Sequence, residues 1–342
     1  MARDMTKGRI LPQMTAFAIP LILGNLFQIL YNATDSIIVG KFVGDDALAA
    51  VGTAGPIMNM AILFISGMCM GAGILMSTLY GAKDMKNLEK QISTTLIGGL
   101  VFSLLIAFLM IVFAVPILRL INSPEEIIGS AAIYLRVVFL GLIFTFVYNF
   151  LANTLRALGD SRTPLYFLVI SALLNVAGDL LFVVTLKLGV MGSAVATVLS
   201  EALCCVCCGI YVKLKVPVLC LGKKWRVFER RVLWKTFSYG ITSALQQMCV
   251  QLGKILVQAI INVQGVAFIA AFTAINRVDD FVLSPEGNIA HATTTFIAQN
   301  RGAGDVERVK KGYRCGIIME LIFSVAVSVI VFFAAAPLMK MF

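Results

Sequence analysis

"IPLILGNLFQILYNATDSIIVG", residues 19–40, decides the fold. Almost every side chain in it is apolar or small, and the run matches the ~20 helical residues that cross a bilayer. Asp35 nevertheless sits inside it, among Ile, Val, Leu and Phe. A carboxylate there must be desolvated, which is costly unless it is partnered or used. The surroundings of that run settle which solvent it sees. The chain of 342 residues is 59% hydrophobic and only 13% charged, and its mean hydropathy is +0.93. Soluble domains carry about a quarter charged residues, so this composition cannot cover a water-soluble globule. Apolar runs recur along the whole length, and the first is not a lone signal peptide.

The periodicity predicts an all-α, polytopic membrane protein of about nine helices, at 14–40, 49–80, 91–120, 128–155, 161–186, 189–213, 234–262, 267–299 and 312–341. Helices satisfy their backbone groups within the segment, as hydrocarbon demands. A β-barrel is excluded by the lack of ten-residue alternating units. The formal charge of +10 does not point to nucleic acid. Twenty-one of the 28 Lys and Arg residues fall in the loops of one side and four in those of the other. By the positive-inside rule the N-terminus is cytoplasmic, the chain is a multi-pass protein of the cell membrane, and the bilayer is its first partner. The loop near 216–233 is the longest and most basic, and divides a six-helix lobe (1–215) from a second lobe (234–342).

The two parts resemble each other. "GDDALAAVG" (44–52), "YGAKD" (80–84) and "AVPILRL" (114–120) align with "GVAFIAAFT" (265–273), "RGAGD" (301–305) and "AAPLMKM" (335–341), all at an offset of 221 residues. Six helices precede the second copy, so both copies share one orientation, a parallel repeat of the transporter type. In this register Phe342 corresponds to Ile121, and helices four to six of the first copy have no counterpart. The second lobe is therefore expected to be partial.

Three carboxylates interrupt the apolar runs of the first lobe: Asp35, Asp179 and Glu201. At 1.5 Å per residue, Asp35 lies about 8 Å, Asp179 about 11 Å and Thr197 about 12 Å below the outer helix ends. Asn175 is one turn deeper on the face of Asp179. Asp35, Asn175, Asp179 and Thr197 can thus meet in one layer. Hard oxygen ligands suit Na⁺ better than a transition metal, and two nearby carboxylates repel, which favours uptake of Na⁺ or H⁺. The competing structural role is pairing with Arg136, about 12 Å deep on the fourth helix. Glu201 lies one turn inward of Thr197. Arg277 and Asp280 are spaced to pair within their helix, and Glu286 and His291, without a local partner in sequence, are candidates for lining a substrate path. His291 is the only histidine, and the "CCVCC" run (204–208) reads as packing rather than as a metal site.

These residues resemble the multidrug and toxic compound extrusion (MATE) family. The 19–40 run is similar to its first helix, and "YLRV", "LRALGDSRTP", "LLNVAGDLLF", "MGSAVATVLS" and "IAQNRGAGD" are similar to its later landmarks. The resemblance implies two six-helix lobes around a central cavity, of which the second is incomplete here. It implies efflux of organic cations or drugs in exchange for Na⁺ or H⁺, with Asp35, Asn175, Asp179 and Thr197 as the ion-coupling residues. It implies no organic cofactor and no metal beyond that ion. Glu201, Glu286, His291 and the cysteine run depart from the family pattern. The rival readings are a lipid-linked flippase of the same broad fold, a truncated non-transporting membrane protein, and a membrane enzyme using Asp35 and Asp179 as paired aspartates. No sequence signature accompanies the last.

Overall fold

The computed structural model describes residues 4–121, 123–216, 227–262 and 285–339. All regular structure among them is helical. The helices are α1 (Ile10–Phe42), α2 (Asp45–Gly81), α3 (Met85–Leu120), α4 (Glu125–Leu140), α5 (Leu142–Ala157), α6 (Arg162–Asp179), α7 (Gly189–Lys215) and α8 (Arg230–Asn262). They are followed by α9 (285–302) and α10 (Val306–Met339). They run up and down, so the start of α1 and the end of α2 share one face, called here the N face.

Six of these helices are long and apolar enough to cross a bilayer, and seven spans result if the bent pair α4 and α5 counts as one. Three of the nine expected helices differ from the expectation in detail. The span expected at 128–155 is broken at Gly141 and bent by 45°. A Cβ at Gly141 would crowd Val198 of α7 and meet the Val138 carbonyl oxygen at 3.2 Å, so only glycine fits where the two helices turn against α7. The span expected at 161–186 is regular only to Asp179, and continues as a π-turn over Leu180–Thr185. The helix expected at 234–262 begins at Arg230 and is long enough, at 33 residues, but too polar to qualify. Two of its polar side chains, Thr236 and Ser243, are buried in protein. Thr236 is buried and accepts a 2.6 Å hydrogen bond from Gln91 of α3. Of the helix expected at 267–299, residues 267–284 lie outside the described residues.

Two helices start six residues before their apolar runs, α3 at 85 and α10 at 306, and for one reason. Asp84 and Asp305 cap them, each accepting from the backbone N–H three residues on, at 3.1 and 2.9 Å. The preceding turns match bond for bond at the offset of 221. Ala82 and Ala303 donate to the carbonyls of Thr78 and Gln299, Lys83 and Gly304 to those of Tyr80 and Arg301, and Asp84 and Asp305 to those of Leu79 and Asn300. Lys83 and Gly304 are both left-handed, with φ of 57° and 76°, the conformation that closes a helix C-terminus. The α5–α6 turn repeats this pattern a third time, at Leu158, Gly159 and Asp160.

The main core lies among α2, α3, α4, α5 and α7, and a second cluster joins Met5 and the first half of α1 to Ile289, Ala292 and Phe296 of α9. The most extensive helix pair is α2 with α8. Glycines make it possible. A Cβ on Gly67 would meet the Ala244 Cα at 2.6 Å, and Gly71 stacks on the backbone of Tyr239 and Gly240. The N-face ends of α2 and α9 also touch through their backbones, at Gly81 against Gln299 and Gly302 against Thr78.

Candidate functional site

Small residues bring α6 and α7 together where the polar groups lie. A Cβ on Gly178 would meet the Ala196 Cβ at 3.0 Å, and one on Gly192 would meet the Phe182 carbonyl carbon and oxygen at 3.0 Å. Close approach of α7 to α6 and its π-turn leaves no room for large apolar side chains, and Asn175 and Asp179 are held against α7. A π-turn adds one residue to a helical turn and is frequent at functional sites. Here it begins immediately after Asp179.

The four residues expected to meet do so. Asn175 Nδ2 donates to Thr197 Oγ1 at 3.1 Å. The carboxyl groups of Asp35 and Asp179 lie within hydrogen-bonding reach of each other. Asp179 is 0% exposed, Asn175 1% and Asp35 9%. Both carboxylate oxygens of Asp179 and Oδ1 of Asn175 are buried, and no donor reaches them among the described residues. Buried acceptors without donors are rare, and here three of them are gathered beside a second carboxylate. Arg136, the cation available to neutralise the acids, is exposed instead. The arrangement gathers buried oxygen acceptors with no cation paired to them among the described residues.

One further residue, Ser193, belongs to the site and was not foreseen. Ser193 Oγ donates to Asp35 Oδ1 at 2.7 Å. Tyr31 and Tyr134 lie within electrostatic reach of Asp35, Asp179 and Glu201. The signal for Ser193 was the spacing Ser193, Thr197, Glu201, a polar stripe at i, i+4 and i+8 on α7. Tyr31 stands one turn before Asp35.

The other candidates separate. Glu201 is half-buried and accepts a hydrogen bond from Thr145 of α5. Glu286, without a local partner in sequence, accepts one from Ser324 of α10 at 2.6 Å. His291 faces a small cavity with Arg156, well toward the N face. Arg277 and Asp280 lie outside the described residues. In the cysteine run, Cys204 and Cys208 are buried and Cys207 is exposed. No group of three or more His, Cys, Asp or Glu is placed to hold a metal ion among the described residues.

Comparison with known families decides the assignment. The MatE family model matches residues 20–181 and 242–342. The chain belongs to the MATE family of multidrug efflux transporters. Among its MATE relatives, the probable multidrug resistance protein YoeA of Bacillus subtilis is 30% identical over 98% of this chain and 74% of its own length. The multidrug export protein MepA of Staphylococcus saprophyticus is 22% identical over 96% of this chain and 72% of its own. A solved MATE transporter of the MOP superfamily, in an outward-facing conformation, superposes with a TM-score of 0.88 at 24% identity, covering 99% of this chain and 75% of that one. The MATE fold is thus the fold of this chain, an all-α membrane protein.

Proposed function

We propose that this chain is a secondary active antiporter of the cell membrane that expels organic cations or drugs in exchange for Na⁺ or H⁺. The observation that carries the proposal is the pair of buried carboxylates, Asp35 and Asp179, beside the unpaired carbonyl oxygen of Asn175. Asp35 and Asp179 supply charge. Asn175, Thr197 and Ser193 supply neutral oxygens from α6 and α7. Two carboxylates side by side repel, and one cation between them relieves the repulsion. The names of the relatives, a multidrug resistance protein and a multidrug export protein, support the substrate class.

The N-terminus is cytoplasmic in this reading, residues 1–215 form one lobe, 216–233 a basic linker and 234–342 part of a second. The contacts of α2 with α9 at the N face then close the cytoplasmic side. α1 joins the two events, since its far half carries Asp35 and its near half packs on α9. A cation that binds one placement of α1 better than another shifts the equilibrium between them. Glu201, Glu286, Arg277 and Asp280 remain candidates for the drug path.

The test is export of a fluorescent organic cation from proteoliposomes driven by a Na⁺ or a proton gradient. Wild type responds to one of the gradients, and Asp35→Asn and Asp179→Asn lose the response. Wild-type export by both variants would refute the assignment.

A further inference from the structure

A cavity of about 20 Å³ lies near the N face, between α1, α2 and α5 on one side and α9 on the other. Its polar wall consists of Ser77, Asn153, Arg156, His291, Thr294 and Thr295. No carboxylate lines it. Arg156 is half-buried, and its Nε is sealed from solvent without a hydrogen-bond partner among the described residues. No carboxylate among the described residues pairs with it. His291 lies within electrostatic reach of the same guanidinium.

A guanidinium is charged at every accessible pH and only donates, and an imidazole offers at least one N–H in either charge state. Burying such a charge without an opposite one is costly. The wall offers donors and positive charge, and what complements it is an acceptor with negative charge. The volume sets the size. It exceeds the roughly 10–15 Å³ that one water requires, and it is far too small for a drug or a carboxylic acid metabolite. We propose that this cavity is a binding site for a monatomic halide anion, chloride being the common one, held by Arg156 and His291 across the junction of α5 and α9. The anion bridges helices from the two parts of the chain, so it binds the arrangement in which the N face is closed. This site is separate from Asp35 and Asp179 and is independent of their role.

The test uses the purified full chain in detergent at constant Na⁺, with gluconate replaced stepwise by bromide. Bromide lies on the less stabilising side of the salt series, so a non-specific effect would lower the unfolding temperature. A specific site raises it with saturation, by linkage. Wild type should show the saturating rise. Arg156→Gln and the cavity-filling Thr294→Leu should lack it, and the second variant retains the guanidinium if the first fails to fold. Bromide-soaked crystals should show an anomalous peak beside Arg156 and His291. Unfolding temperatures that respond equally in all three proteins, or a peak absent where a water refines, would overturn the proposal.

Discussion

Ser193 shows what one hydroxyl contributes to a charged site. It holds one oxygen of Asp35 at 2.7 Å, and hydrogen bonds to charged groups are worth roughly 1.5–3 kcal/mol. Ser193→Ala should therefore shift the half-saturating Na⁺ or proton concentration for export by about ten- to a hundredfold, with the maximal rate little changed; a titration of export against the coupling ion reads this. At the N-face turn, burial works to raise Asp160, but the Thr163 N–H and hydroxyl outweigh it and hold its carboxyl below the usual range. Asp84 is held low by the Asn87 side chain and N–H. A depressed folded pKa gives stability that is present above the unfolded value near 3.8 and is lost as pH falls through the folded value. Asp160→Ala should cost about 1 kcal/mol at pH 7 and less as the pH falls below 3.8, as compared by unfolding temperature. Asp35, Asn175, Asp179 and Thr197 were legible in the sequence because carboxylates and amides are costly in apolar runs. Ser193 was not, because a helical hydroxyl usually bonds back to its own helix, as Thr34 and Ser36 do to Leu30 and Asn32.

Helix boundaries follow a different logic from helix existence. Apolar runs located every described span, but α3 and α10 begin at their aspartate caps and not where hydropathy rises. The bend at Gly141 depends on Val198, 57 positions away, and was invisible locally. The polar α8 was recognisable as a helix, yet its partner could not be foreseen. Glycines report such approaches only once the neighbour is known. Gly67→Ala should destabilise the chain by about 1–3 kcal/mol, since its Cβ has no place beside Ala244. At Gly209 no atom beyond its chain neighbours and its own helix backbone lies within 4 Å of an added Cβ, and Gly209→Ala should be neutral or stabilising by up to about 1 kcal/mol. Thermal unfolding of the two variants in detergent separates them. Equal losses would contradict the α2–α8 packing.

At the scale of the whole molecule, the N-terminal segment straps the two parts of the chain together. Arg308 of α10 donates from Nε and Nη2 to the Met5 carbonyl at 3.3 and 3.1 Å, from Nη1 to the Gly8 carbonyl at 2.8 Å, and from Nη2 to Gln13 Oε1 at 3.1 Å. Gln299 accepts from Met5 N at 3.1 Å and donates to the Ala157 carbonyl at 2.8 Å, spanning α9, the strap and α5. Nothing in the sequence marked residues 5–8 as structural, because they enter these bonds through backbone N–H and carbonyl groups that almost any residue supplies. Opening the N face must break them. Arg308→Gln removes four hydrogen bonds donated by the guanidinium and should raise the rate of maleimide labelling at Met5→Cys, a position only 2% exposed, by at least about tenfold. Mass spectrometry of the labelled peptide gives that rate, and an unchanged one would mean the strap does not hold the face closed. At the central landmark of the internal repeat, the two turns carry the same backbone bonds. All of this serves the claim that α1, α6 and α7 form a berth for one positive ion. The most direct measurement is equilibrium binding of radioactive Na⁺ to the purified chain across pH, with proton release recorded in parallel. The account predicts one Na⁺ or one proton per chain at a site abolished in Asp35→Asn/Asp179→Asn. Identical Na⁺ binding and identical proton release in wild type and double variant would contradict it.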